Sequence, residues 1–293
     1  MSEMLEKARK YEFIQGQQIK EEERPAFHIT PYVGWMNDPN GFSYYNGAYH
    51  MFYQYYPYRP FWGPMHWGHA VSEDLLHWNY LPAALAPDEP YENGGGCFSG
   101  SAVELSDGRQ LLVYTGVLSE KQPDGTMHDV QQQCVAVGDG VNYEKCENNP
   151  VMTAKQLPSD SNRFDFRDPK VWKAADGSYR CVMVNCDNKG DGRAVLFESK
   201  DGFSWNFKSI LTQNNGKFGK MWECPDLFEL DGKAVLIVSP KDSNIQMVTV
   251  LYARLEPTTM RQEPLHVSMH SLLITALIFM HLSLHRHQMA EES

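Results

Sequence analysis

The sequence predicts an all-β fold of β-propeller type, and three observations carry that prediction. Short apolar runs rich in β-branched and aromatic residues each follow a tight-turn pair. A tryptophan-bearing motif returns about every sixty residues. Between Pro25 and Val238 no stretch keeps a long, clean 3.6-residue apolar period, so helices are expected to be few.

The runs are His50-Met-Phe-Tyr-Gln-Tyr55, Leu111-Leu-Val-Tyr-Thr115, Cys181-Val-Met-Val-Asn185 and Ala234-Val-Leu-Ile-Val238. Their composition and Gly/Asp-rich boundaries read as strands. Asn46-Gly47, Asp107-Gly108, Asp176-Gly177 and Asp231-Gly232 precede them in that order, each a hairpin signal. The recurring motif is Ser72-Glu-Asp-Leu-Leu-His-Trp78-Asn-Tyr80, matched by Ser199-Lys-Asp-Gly-Phe-Ser-Trp205-Asn-Phe207. Asp139-Gly-Val-Asn-Tyr143 keeps the Asp and puts Tyr in the Trp place, so the aspartates step by 65 and then 62 residues. Radial repetition of small sheets explains such a period, because it leaves few exposed edges. A two-sheet sandwich with similarly spaced hairpins is the alternative.

Composition narrows the function. Of 293 residues, 42% are hydrophobic and 22% charged, which describes a globular chain and excludes a disordered one. The net charge of −11 argues against a phosphate-tracking nucleic-acid surface. The opening residues are charged and carry no long apolar run, so no secretory leader is expected. The six cysteines contain no C-x-x-C pair, which argues against a zinc site and for free thiols in the cytoplasm.

The pattern breaks near residue 243. All 22 glycines lie at or before Gly232, the last Asp is Asp242, and five of eleven histidines fall in the final 28 residues. The apolar run Leu272 to Leu284 spans about 20 Å as a helix, short of a bilayer core of about 30 Å, and His281 interrupts it. A membrane span and a His-rich metal tract are both disfavoured. Suitable codons for Ile274 onward, read one base earlier, spell D-Y-G-F-D-F-Y-A-P-Q. The chain therefore divides into an extension at 1–24, a propeller domain at 25–243 and a tail at 244–293 read as out of frame. The nucleotide sequence through residues 240–293 decides that reading.

Three acids sit in unusual settings. Trp35-Met-Asn-Asp-Pro-Asn-Gly41 places Asp38 before a proline and close to a dense aromatic stretch. Phe164-Asp-Phe-Arg-Asp-Pro-Lys170 places Asp168 beside Arg167, a cation expected to keep it ionised at any working pH. Met221-Trp-Glu-Cys-Pro-Asp226 places Glu223 after Trp222, where apolar burial would suit a general acid. Singly, each reads equally well as a loop or surface carboxylate. Each also opens a repeat unit, and the first strands of propeller blades line one channel, so the three are expected to meet. A nucleophile, an acid/base and a third carboxylate are what glycoside hydrolysis uses. A metal site would favour closely spaced Asp in one loop, as in D-x-D-x-D-G, and none occurs.

At W-M-N-D-P-N-G (Trp35–Gly41), F-S-G-S-A (Phe98–Ala102), F-R-D-P-K (Phe166–Lys170) and W-E-C-P-D (Trp222–Asp226) the chain resembles glycoside hydrolase family 32, the β-fructofuranosidases. From Pro25 to Cys97 it is most like the bacterial intracellular sucrose-6-phosphate hydrolases. The resemblance implies a five-bladed propeller followed by a C-terminal β-sandwich, with only about four blades and no sandwich readable here. It implies retaining hydrolysis of sucrose or sucrose 6-phosphate without a cofactor. Asp38 would be the nucleophile, Glu223 the acid/base and Asp168 the transition-state stabiliser. Asn37, Gln54, Trp62, Phe98, Ser99 and Arg167 match positions that bind the fructosyl unit. Tyr56 stands where the family usually has Asn. An inactive truncated fragment is one alternative. A related fructan or arabinan hydrolase is another, although arabinan-type propellers lack the W-M-N-D-P-N-G text.

Overall fold

The computed structural model describes residues 1–230, 233–242, 249–253 and 268–270. Four antiparallel sheets of four strands follow one another along the chain, each ordered as a simple meander. Blade one comprises β1 (Trp35–Tyr45), β2 (Ala48–Tyr56), β3 (His66–Ser72) and β4 (Asn79–Leu85). Blade two comprises β5 (Gly96–Glu104), β6 (Gln110–Lys121), β7 (Met127–Gly138) and β8 (Tyr143–Lys145). Blade three comprises β9 (Ser161–Lys173), β10 (Tyr179–Asp187), β11 (Gly192–Ser199) and β12 (Trp205–Gln213). Blade four comprises β13 (Trp222–Leu230), β14 (Lys233–Pro240), β15 (Thr249–Ala253) and β16 (Ser268–His270). Its two outer strands come from the stretch set apart above as a tail.

Both local signals in the sequence acquire a physical meaning. Asn46 and Gly47 have φ of 49° and 82°, the left-handed pair that joins β1 to β2 without splaying them. Gly108 and Gly177 occupy the same backbone region between the first two strands of blades two and three. Asp231-Gly232 lies outside the described residues. The recurring aspartates are turn caps before the fourth strand. Asp74 Oδ1 accepts from the N–H of Leu76 and His77, Asp139 Oδ1 from Val141 and Asn142, and Asp201 Oδ1 from Phe203 and Ser204. The tryptophans close the same turns, Trp78 Nε1 on Leu75 O and Trp205 Nε1 on Gly202 O.

Burial runs between blades. Leu111, Val113 and Val135 of blade two pack with Phe166, Cys181, Val195 and Phe197 of blade three. Phe52 and Trp67 of blade one meet Leu112, Tyr114 and Ala136 of blade two, and Val182 and Val184 meet Trp222 and Leu236 across the next seam. The first strands contact one another in the order β1, β5, β9, β13, as strands around a channel must.

One helix, α1 (Glu3–Gly16), occupies the N-terminal extension, capped by Ser2, whose Oγ accepts from Leu5 N–H. It covers the outer edge of blade one. Ala83 of β4 donates its N–H to Glu12 Oε1 and accepts at its carbonyl from Arg9 Nε, so two side chains stand where a fifth strand would pair. Burial pushes the Glu12 carboxyl up to about 7. Among the described residues no helix is long and apolar enough to cross a membrane, and no cluster of His, Cys, Asp or Glu is placed to hold a metal. The run Leu272 to Leu284 lies outside them.

Candidate active site

Every first strand carries an irregularity at the residues singled out by sequence. Pairing of β1 with β2 slips between Met36 and Pro39, around Asn37 and Asp38. β5 slips between Phe98 and Gly100, around Ser99. β9 slips where Asp168 and Pro169 together face Met183, and β13 slips between Glu223 and Asp226. A bulge re-aims a side chain that regular alternation would send to the other face. Proline is tolerated there because each first strand is an edge, so its missing N–H costs no ladder bond. Asp168 (φ 58°) and Cys224 (φ 48°) adopt left-handed backbone at these bulges.

Asp38 is half-buried between blades one and two. Ser99 Oγ donates to Asp38 Oδ2 at 2.7 Å, and Gln54 Nε2 donates to that same Ser99 oxygen at 2.8 Å. The Asn37 amide reaches Asp38 Oδ1 at 3.3 Å and accepts from Trp35 Nε1 at 3.1 Å. Gln54 and Ser99 are buried, so this donor relay is fixed before any ligand arrives. Trp62, half exposed, meets the Phe98 ring edge-on at 6.4 Å, next to Ser99. Asn37, Ser99 and Arg167 thus touch one of the acids directly and Gln54 does so through Ser99, while Phe98 adjoins Ser99 in β5 and Trp62 packs on Phe98.

Asp168 is buried and held by backbone rather than by its neighbouring cation. Cys224 N–H donates to Asp168 Oδ2 at 2.8 Å, and Asp168 N–H donates to Thr115 Oγ1 at 3.1 Å. Arg167 Nε stands 4.0 Å from Asp168 Oδ2 and makes no hydrogen bond. The expectation that Arg167 keeps Asp168 ionised at any working pH is therefore corrected. Burial raises its pKa to about 6; Arg167 and the Cys224 N–H oppose that rise, while the charges of Glu223 and Asp38 add to it. Asp168 is thus linked to blade four through the Cys224 N–H, and Arg167 stands 4.0 Å from Asp168 Oδ2 and 3.2 Å from Glu223 Oε1.

Arg167 turns its fork the other way. Its Nη1 donates to Asp165 Oδ1 and Gln131 Oε1, both at 2.9 Å, and its Nη2 to Glu223 Oε1 at 3.2 Å. Lys241 Nζ meets the same Glu223 oxygen at 3.5 Å. Glu223 thus faces two cations, and the apolar wall expected from Trp222 is absent, because that ring is buried in the seam with its Nε1 on Phe218 O. The Cys224 thiol is pushed well up, first by burial and then by the three surrounding acids. Sequence reading missed Thr115 and Lys241. Thr115 closes a predicted apolar strand, which was a usable signal; nothing local marks Lys241.

A propeller whose inner strands carry a half-buried, a buried and a cation-paired carboxylate at their bulges has the construction of a glycosidase catalytic domain. The chain belongs to glycoside hydrolase family 32: residues 28–266 match the Glycosyl hydrolases family 32 N-terminal domain. It is 45% identical over 228 residues to a sucrose-6-phosphate hydrolase of Zymomonas mobilis, covering 74% of this chain and 43% of that protein. It is 41% identical over 223 residues to the raffinose invertase of Escherichia coli, covering 75% and 44%. Among solved structures it resembles a GH32 β-fructofuranosidase of Bombyx mori determined with sucrose, at a TM-score of 0.78 and 39% identity, over 91% of this chain and 56% of that one. A sucrose-6-phosphate hydrolase of Lactobacillus gasseri superposes at 0.69 with 33% identity, over 83% and 50%. The chain spans less than half the length of both curated relatives.

Proposed function

We infer that this site cleaves the fructosyl bond of sucrose or sucrose 6-phosphate by the retaining route, in the cytoplasm and without a cofactor. The observation that carries this is the meeting of the four inner strands: Ser99 of β5 holds Asp38 of β1, the Cys224 N–H of β13 holds Asp168 of β9, and Arg167 stands between Asp168 and Glu223. The relatives named as sucrose-6-phosphate hydrolase and invertase support the substrate class, and six unpaired cysteines support the compartment.

Asp38 attacks the anomeric C2 of the fructosyl unit, forming an ester as the bond to the glucosyl oxygen breaks. Glu223 gives its proton to that departing oxygen. Its carboxylate then takes a proton from water, whose oxygen attacks C2 and frees Asp38. Ser99 and Asn37 hold Asp38 in one orientation through their hydrogen bonds. Asp168 binds fructosyl hydroxyls and offsets oxocarbenium charge, with Gln54, Trp62 and Phe98 shaping the subsite and Arg167 orienting Glu223.

The test uses the 293-residue chain with sucrose, following the first-formed fructose anomer by NMR. Retention at C2 is expected, and Asp38→Ala is expected to abolish turnover. Inversion, or substantial residual turnover in that variant, overturns the assignment. Faster cleavage of aryl arabinosides than of sucrose would favour the arabinan-type alternative.

A further inference from the structure

Lys241 has no part in the chemistry above, yet its ammonium stands 3.5 Å from Glu223 Oε1, the oxygen that Arg167 already meets at 3.2 Å. The two cations are unlike. The Arg167 side chain is 8% exposed and tied to Asp165 and Gln131 as well. That of Lys241 is 51% exposed. Its root is fixed just beyond β14, where Lys241 N–H donates to Met221 O at 2.7 Å and its carbonyl accepts from Lys220 N–H at 2.8 Å. The side chain is therefore an exposed, flexible-stemmed charge on an anchored backbone.

A second cation is not needed to orient Glu223, which the buried Arg167 already holds, and an exposed pair of this kind adds little to stability. The position makes sense by what else it borders. The proton of Glu223 goes to the leaving sugar, while the fructosyl unit is placed by Asp38, Gln54 and Ser99 on blades one and two. A group reaching Glu223 from the solvent side of blade four therefore lies beside the leaving sugar. Sugars carry negative charge chiefly as phosphate monoesters, and a chain of net charge −11 repels such a substrate unless a local cation receives it.

We propose that Lys241 is a specificity residue that takes the phosphate of a 6-phosphorylated leaving sugar, so that this site prefers sucrose 6-phosphate to sucrose. The proposal rests on the reading of Glu223 as the acid.

The experiment measures kcat/KM for sucrose 6-phosphate and for sucrose with the full chain, Lys241→Gln and Lys241→Arg, at low and high salt. The ratio of the two values is the readout. Lys241→Gln is expected to lower it about tenfold, the worth of one charge-assisted hydrogen bond, and Lys241→Arg to restore most of it. The parent ratio is expected to shrink as salt rises. Inorganic phosphate should compete with sucrose 6-phosphate less well in Lys241→Gln than in the parent. An unchanged ratio in Lys241→Gln, or equal handling of both sugars by the parent chain, overturns the role of Lys241 alone. Turnover of neither sugar by the parent chain overturns the reading of the site along with it.

Discussion

The two sides of the pocket are built on opposite principles. Around Asp38 the partners are neutral: buried Ser99, itself held by buried Gln54, donates to the carboxylate at 2.7 Å, and the exposed Asn37 amide reaches it at 3.3 Å. Around Glu223 the partners are charges, one sequestered and one in water, drawn from blades three and four. The first arrangement holds a carboxylate in one orientation, and the second surrounds one with charge; the contrast matches the nucleophile and acid/base roles proposed for Asp38 and Glu223.

The sharpest way to break this comparison is to remove the proton. Glu223→Gln is expected to lower kcat for sucrose by about 10²–10⁴-fold, and much less for a fructoside whose leaving group departs without protonation. Steady-state kinetics with both substrates checks this. An equal loss on the two would mean that Glu223 does not serve the departing oxygen.

A smaller effect probes the neutral side. Ser99→Ala deletes the donor to Asp38 Oδ2, a hydrogen bond to a charged group worth about 1.5–3 kcal/mol, or about 10–100-fold in kcat/KM. A loss below threefold would show that the relay from Gln54 does not organise the nucleophile.

The smallest effect is on stability and its pH dependence. Asp168 is raised in the folded state from 3.8 to about 6, with burial as the leading cause. Its contribution to stability is therefore fully present below about pH 4 and is lost as pH rises through 6. The folded chain should be less stable at pH 7 than at pH 4 on this account by about 2 kcal/mol, and Asp168→Asn should narrow the gap in urea denaturation at the two pH values. Turnover runs the other way, falling as pH drops through about 6 and the charge that offsets the oxocarbenium ion is neutralised. An activity profile without that acid limb would deny Asp168 its electrostatic role.

Much of this architecture was legible because its determinants are local. An aspartate capping the two N–H groups of a turn leaves the same short text wherever the turn recurs, as at Asp74, Asp139 and Asp201. The acid-proline pairs were harder. Asp38-Pro39-Asn40-Gly41 reads as a loop in isolation, yet it lies within β1, because pairing with β2 resumes on the far side of the bulge. Helix α1 was not anticipated. Leu5, Ala8, Glu12 and Gly16 form its buried face, but a charged residue on that face obscures the periodicity, and what stabilises it is the backbone of Ala83, far along the chain. The surroundings of Glu223 were legible least of all. Lys241 comes 18 residues later and arrives through the main-chain pairing of Met221 and Lys220 with it, which no spacing rule foretells.

The bulged inner strands have an evolutionary corollary. Ser99 of blade two orients the acid of blade one, and the Cys224 N–H of blade four holds the acid of blade three. No blade therefore contains a finished working part, and a blade is a unit of folding without being a unit of inheritance for activity. Thr115 and Gln131 of blade two likewise bond Asp168 and Arg167 of blade three, so chimeras between relatives should lose activity wherever a crossover separates neighbouring blades.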